Sequence, residues 1–184
     1  MRIEAYGAIA VASVDVSDIR GMEAALNKAL SLAKSGPAHD GTSDFTGQMT
    51  VLKVTAPLIT GKQFDTASRW LDFVEHQKEG SSRTIIEPEI DQQRVVLLAK
   101  KGQFDEARTR VAKMRPDAST EDIRGSAVRA LSFLQTKKQG IIENQKWIES
   151  LPSDTDRSYA LLGAVEALMG KTEVQLSYGG LQIQ

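Results

Sequence analysis

Two histidines are the residues of this chain best suited to metal or acid–base chemistry. His39 lies beside Asp40 and close to Asp44, and His76 follows Glu75. A zinc site draws on several His or Cys ligands at fixed spacing, as in the HExxH motif, and the chain has no such motif and no cysteine. The sequence therefore predicts no metal site.

Motifs for other chemistries are also missing from the sequence. Neither phosphate-binding motif, G-x-x-x-x-G-K-[ST] or G-x-G-x-x-G, occurs. The triplet Asp154-Thr155-Asp156 lacks the spacing and glycine of a calcium loop and predicts a helix cap. Glu87 and Glu89 are typical of solvated loop acids rather than of a glycosidase pair. We therefore predict no catalytic residues and no cofactor, and a protein that is not an enzyme.

Charge is unevenly distributed along a chain whose net charge is only −1. Residues 94–146 hold 12 Lys or Arg against 6 Asp or Glu, and the segments on either side are acidic. Solvated helix faces are the favoured interpretation, because long basic side chains commonly cover exposed helix surface. The alternative is a surface for an anionic ligand. Trp70 and Trp147 are expected to pack against neighbouring helices rather than to stack on nucleic-acid bases.

The segment KKGQFDEARTRVAKMRP, residues 100–116, sets the pattern of the whole chain. Its apolar residues follow a Gly102 turn at steps of three and four, which places them on one face of a helix. They are Phe104, Ala107, Val111 and Met114. A close copy lies 40 residues earlier, at Phe64, Ala67, Leu71 and Val74, and a looser one 37 residues later, at Ile141, Ile148 and Leu151. Recurrence at this spacing predicts an array of helix pairs, each burying its apolar face against its neighbours.

The same periodicity predicts where the helices begin and end. The first pair spans about 3–13 and 19–35, with Asp18 as the N-cap of the second helix. A kink, or an early end near Val54, is expected at Pro57, and Pro88 is expected at the first position of its helix. The last helix, after Ser153 or Asp154, is expected to turn its large apolar residues inward: Leu161, Leu162, Val165, Leu168 and Met169.

This array resembles the tetratricopeptide repeat (TPR) superfamily, whose units are two antiparallel helices with a glycine before the second. Its large-Gly pattern in the first helix is echoed by Tyr6-Gly7 and Leu162-Gly163. The spacing of 37–40 residues exceeds the ~34 of the standard repeat, so a HEAT-like array is the structural alternative. Asn144 stands where the family has Ala, and we expect it to be less buried than the alanines at that position, Ala67 and Ala107.

The predicted fold class is all-α, a TPR-like α–α superhelix of about four and a half antiparallel units. One helical-repeat domain is expected over residues 1–174, with an irregular or loosely ordered tail at 175–184. The resemblance implies that the first helices line a concave partner-binding face. Aligning the units on their turns assigns six residues to that face: Gln92, Val96, Lys100, Arg129, Phe133 and Lys137.

Together these observations favour a non-catalytic interaction module or scaffold that binds a peptide or protein. An acidic peptide is favoured over a nucleic acid, since the predicted face joins cations to apolar residues. The alternative is an accessory domain of an enzyme or nucleic-acid-processing factor that contacts an anionic ligand through residues 94–146. No apolar run approaches the roughly 18–20 residues that span a bilayer, and the N-terminus makes a poor signal peptide, so we expect a cytoplasmic protein. The oligomeric state is left open.

Overall fold

A computed structural model describes residues 2–35, 42–77, 83–115, 121–172, 176–178 and 181–183. Within these ranges the chain forms helices almost throughout, and the predicted all-α class is confirmed. The helices are α1 (Arg2–Asp15), α2 (Ile19–Ser35), α3 (Thr42–Thr60), α4 (Phe64–His76), α5 (Arg83–Lys101), α6 (Phe104–Lys113), α7 (Glu121–Gln139), α8 (Ile141–Ser150) and α9 (Asp154–Leu168). His39 and its neighbour Asp40 lie outside the described residues.

One turn geometry recurs at the ends of four helices. A residue with positive φ stands at Ser17 (61°), Lys62 (62°), Gly102 (87°) and Gly170 (80°). In each case the N–H of the following residue donates to the carbonyl five positions earlier. This is the Schellman arrangement, in which the left-handed residue lets the chain satisfy the last carbonyls of the helix and reverse direction. After the first three turns a new helix begins within two residues.

Pro57 lies inside α3, which continues to Thr60. Of the two outcomes expected at Pro57, the early end near Val54 is therefore wrong, and the kink stays a prediction. A proline in this position removes one backbone hydrogen bond from the helix. The next residues, Leu58 and Ile59, are almost fully buried, and their packing offsets that loss.

Pro88 also lies inside a helix, because α5 begins five residues earlier, at Arg83. The prediction that Pro88 opens this helix is therefore wrong. Ile86 and Ile90 flank the proline at helical spacing and are both buried. Ile86 and Ile90 lie on the same helix face, and the burial of that face favours a helix that begins before the proline.

The chain divides into two compact units, Met1–Ile90 and Asp91–Gln184. The sequence predicted one helical-repeat domain over 1–174. In a repeat array each repeat contacts only the repeats next to it. A single array of this kind can therefore be divided into two compact parts between any two repeats. The division therefore does not decide between one domain and two, and the single domain stays a prediction.

Part of the C-terminal tail, predicted to be irregular or loosely ordered, forms regular structure. The strands β1 (Leu176–Tyr178) and β2 (Leu181–Ile183) pair antiparallel, with Leu176 opposite Ile183. Apolar residues occupy alternate positions of both strands, which is the periodicity of a pleated segment. β1 contacts α7.

The face predicted for the repeated motif is buried except at Phe64 and Ile141, which are half-buried. Leu71 and Ala67 are fully buried in the first unit, and Phe104 and Ala107 are buried in the second. Around Phe104 the core of the second unit joins side chains of α5 to α9, including Val111, Met114, Leu131, Trp147 and Ile148.

Asn144 was expected to be less buried than the alanines at its position, and this prediction is wrong. Its side chain is as fully buried as those of Ala67 and Ala107. The amide nitrogen donates to the carbonyl and hydroxyl oxygens of Ser132 and to the hydroxyl of Thr136. These α7 acceptors let a polar side chain occupy a core position, because a buried donor with partners avoids most of its desolvation cost.

The two glycines that echo the TPR pattern lie where helices approach closely. A Cβ on Gly7 of α1 would meet the Thr50 side chain of α3 at 2.8 Å. A Cβ on Gly163 of α9 would lie 2.1 Å from the backbone oxygen of Arg129 on α7. Only a residue without a side chain permits the second contact, since a backbone oxygen cannot move aside as a flexible side chain can.

α9 turns its small residues inward, so the prediction of a large apolar inner face is wrong. Ala160, Gly163, Ala164 and Ala167 are buried. The large apolar residues are exposed instead, namely Leu161, Leu162, Val165, Leu168 and Met169. The physical reason is the close approach to α7, which leaves no room for Leu or Val in the contact.

Replacing Phe104 by Ala tests this assignment of the core. We expect the variant to lose about 3–5 kcal/mol of unfolding free energy, the usual cost of emptying an aromatic core site. Phe64 starts α4 as Phe104 starts α6 but is only half-buried, so Phe64→Ala should lose clearly less. Urea unfolding measures both variants. Equal losses would contradict the assignment.

Candidate functional site

Three of the six residues predicted to line a partner-binding face are buried. Gln92 and Val96 on α5, and Phe133 on α7, have at most 4 % of their surface exposed. The amide nitrogen of Gln92 donates to the backbone oxygen of Ile123, 3.4 Å away. These side chains serve packing between helices of the second unit, and a partner on the surface does not reach them.

Arg129, the fourth predicted residue, is held by an ion pair within the fold. Its Nε donates to Glu166 Oε2 at 2.7 Å, and its Nη2 donates to the other carboxylate oxygen. Glu166 lies on α9 and is 7 % exposed, and it also accepts a hydrogen bond from Lys171. Arg129 therefore joins α7 to α9.

This pairing shifts both ionisation equilibria. The hydrogen bonds from Arg129 hold the pKa of the Glu166 carboxyl below its ordinary value of 4.5, against the opposing effect of burial. In return, the hydrogen bond to Glu166 raises the pKa of the Arg129 guanidinium. Both groups stay charged at neutral pH.

The remaining two predicted residues, Lys100 and Lys137, lie at the ends of neighbouring helices. Lys100 and Lys101 are in the last turn of α5, and Lys137 and Lys138 are in the last turn of α7. The ammonium group of Lys138 donates to the backbone oxygen of Lys100 at 2.6 Å, which places the two helix ends together. Lys101, Lys137 and Lys138 are exposed, and Lys100 is half-buried. We call these four residues the lysine cluster.

The lysine cluster carries more charge than its helices neutralise. Each helix C-terminus contributes roughly −0.5 elementary charge, so the three exposed ammonium groups of Lys101, Lys137 and Lys138 at two such ends leave a net charge of roughly +2. The ammonium group of Lys137 also lies 5.6 Å from the centre of the Phe133 ring, a cation–π contact that orients it. This end of the second unit is therefore suited to an anionic ligand.

A buried ion pair between α7 and α9 was not foreseen from the sequence. Arg124 Nη2 lies 2.6 Å from Asp156 Oδ2, and both side chains are less than 10 % exposed. The other terminal nitrogen of Arg124 donates to the backbone oxygens of Val111, at 2.9 Å, and Met114. Arg124 thus satisfies the last carbonyls of α6 while it pairs with the first turn of α9. The sequence predicted Asp156 to be part of a helix cap. The N-cap of α9 is instead Ser153, whose side chain accepts a hydrogen bond from the backbone N–H of Asp156.

Glu89 was expected to be a solvated loop acid, and this is wrong. It lies in α5 and is 7 % exposed. Burial raises the pKa of its carboxyl, because loss of water disfavours the charged form. Its neighbour Glu87 is partly exposed.

The other candidates for chemistry are not assembled into sites by the fold. Trp147 belongs to the core of the second unit, with the Arg108 guanidinium 5.9 Å from its ring centre. Trp70 makes an edge-to-face contact with Phe73. The exposed His76 bonds through Nδ1 to the backbone oxygen of Asp72.

Across the described ranges, no three His, Asp or Glu side chains are grouped so that they could hold a metal ion. No helix in the same ranges has the length and apolar character needed to cross a bilayer.

Comparisons with known protein families, curated proteins and solved structures found no match to this chain.

The Arg124–Asp156 pair leads to a prediction of strong coupling. Asp156→Leu alone leaves a buried guanidinium unpaired, and we expect a loss of about 3–5 kcal/mol of unfolding free energy. Arg124→Met/Asp156→Leu should lose less than Asp156→Leu, because no uncompensated charge remains. The exposed pair of Arg157 and Asp154 on the same helix is the control, and Arg157→Met should cost at most about 1 kcal/mol. Denaturant unfolding measures all three variants, and a double variant that is less stable than Asp156→Leu would contradict the coupling.

The lowered pKa of Glu166 predicts how stability depends on pH. A carboxyl with a folded-state pKa below its unfolded value stabilises the fold above that unfolded value, and the contribution disappears as pH falls through the folded pKa. The Glu166 contribution should thus be complete at pH 7 and decline below about pH 4.5. The difference in urea midpoint between the parent and Glu166→Gln should shrink as the pH is lowered from 7 to 3. A difference that is constant over this range would contradict the pairing with Arg129.

Proposed function

We propose that this protein is a non-catalytic helical-repeat module, TPR-like in its helix pairs, that binds an acidic peptide or protein segment at the lysine cluster. The observation that supports this best is the position of four lysines at the adjoining ends of α5 and α7. Two of them, Lys100 and Lys137, belong to the face expected from the TPR resemblance. The proposed site is thus smaller than that face and lies at one end of it.

A short acidic segment fits the lysine cluster better than a long polyanion does. Much of the positive charge between residues 94 and 146 is committed to carboxylates of the same chain. Four of its six arginines pair with acids on their own or neighbouring helices: Arg108 with Asp105, Arg110 with Asp91, Arg124 with Asp156, and Arg129 with Glu166. What supports binding is therefore a local group of lysines rather than a continuous basic surface, and a nucleic-acid backbone needs the latter.

Charge reversal in the lysine cluster tests this function. The probe is a fluorescein-labelled ten-residue peptide with alternating Glu and Leu, and anisotropy at low salt gives its affinity. Lys101→Glu/Lys137→Glu should weaken binding at least tenfold. The unfolding free energy should fall by only about 1–2 kcal/mol, because each reversal loses a favourable interaction with a helix C-terminus and Lys137 also loses its contact with the Phe133 ring. Binding by the parent should also weaken with added salt, since exposed charges beyond about 8–10 Å are screened at physiological ionic strength.

The matched control is Lys113→Glu/Lys146→Glu, which changes the net charge equally through exposed lysines of α6 and α8. This variant should bind the peptide with the affinity of the parent. Equal loss in both double variants would mean that net charge alone governs binding, and the lysine cluster would have no special role. Tighter binding of a thymine-only DNA oligonucleotide than of the peptide would instead favour the alternative of a nucleic-acid-processing factor.

A further inference from the structure

The last turn of α7 carries two consecutive lysines whose side chains are held by different contacts. The ammonium group of Lys138 donates to the backbone oxygen of Lys100 at 2.6 Å, so it lies on the side of α7 that faces the end of α5. Lys137 instead lies over the Phe133 ring, with its ammonium group 5.6 Å from the ring centre. Each contact restricts its side chain, so the two charges have defined and separate positions.

The Phe133 contact places Lys137 away from α5. Arg129, Phe133 and Lys137 follow one another at steps of four, which aligns them along one side of the helix. Arg129, the first residue of this row, pairs with Glu166 of α9. Lys137 therefore lies on the part of α7 nearer α9, whereas Lys138 lies on the part nearer α5.

The geometry of a helix gives the distance between these two positive centres. Consecutive residues point about 100° apart around the axis, because one turn takes about 3.6 residues. At the edge of a helix whose diameter with side chains is about 10–12 Å, that angle separates two side-chain tips by about 8–9 Å. Charge-assisted hydrogen bonds are only about 2.7–2.9 Å long, so ammonium groups this far apart are matched by two carboxylates rather than by one.

An extended peptide supplies two carboxylates at that distance when its acidic residues are three positions apart. The polyproline II conformation, a major conformer of unfolded chains, has three residues per turn and rises about 3.1 Å per residue. Residues three positions apart then lie on the same side of the peptide and about 9.3 Å from each other. Adjacent acidic residues are closer together and point in different directions, so they match only one of the two centres.

We propose, building on the function proposed above, that the lysine cluster selects peptides with acidic residues three positions apart, one carboxylate binding Lys137 and the other binding Lys138. Lys138 remains able to bind a ligand, because an ammonium group has three donors and its bond to the Lys100 carbonyl uses one of them. The ligand is thereby narrowed from any acidic segment to one with two separated carboxylates.

Three peptides of equal charge test this spacing. Each has ten residues, a proline-rich background that favours polyproline II, an N-terminal fluorescein, a C-terminal amide and two Asp residues, so that only side chains vary the charge pattern. The two Asp residues are one, three or six positions apart. In anisotropy titrations at low salt, the parent protein should bind the peptide with a spacing of three at least fivefold more tightly than either of the others.

Single lysine variants show whether the two centres cause the preference. Lys137→Ala and Lys138→Ala should each reduce the preference for a spacing of three to less than twofold, because either change leaves one centre. Lys113→Ala removes an exposed lysine of α6 and should keep the full preference. Equal affinity of the parent for all three peptides would overturn the spacing rule and leave the proposed function intact. Binding of none of them would overturn both.

Discussion

The buried ion pair of Arg124 and Asp156 is the interaction on which the second unit depends most. It joins α7 to α9, and the same guanidinium donates to backbone carbonyls at the end of α6. A buried charge costs several kcal/mol unless it is paired and its hydrogen bonds are made. The three helices must therefore hold their positions together, since displacing any of them leaves a polar group without water or a partner.

The same constraint limits where a ligand can bind. Counted along the sequence, residues 94–146 form a strongly basic block, but the fold uses its arginines between helices and within them. An arginine is suited to this because its planar guanidinium can bind a carboxylate and a carbonyl at once. Of its six lysines, which are flexible and strongly hydrated, five are exposed, and four of the six lie at the adjoining ends of α5 and α7. Charge available to a partner is thus concentrated in the lysine cluster.

α9 has two apolar faces that differ in the size of their side chains. Its inner face consists of small residues, because Gly163 brings the helix against the backbone of α7. Its outer face consists of the large residues that this close contact excludes. The Gly170 turn has the geometry that leads into a second helix elsewhere in the chain, yet the residues described after it form no helix. The large apolar residues of that outer face, such as Leu162 and Val165, are exposed in the described structure.

The sequence alone determined the helices, most of their ends and the buried face of the repeated motif, because these follow from local periodicity, caps and turn residues. It did not determine which face of α9 points inward, since apolar residues lie on both faces and only the distance to α7 selects between them. Nor did it predict the burial of Asn144 or the engagement of Arg129, because both depend on acceptors that lie 8 to 37 residues away in sequence. Hydrogen bonds between residues that are distant in sequence are decided by the tertiary structure. Burying a polar group is costly unless another helix supplies a hydrogen-bond partner for it.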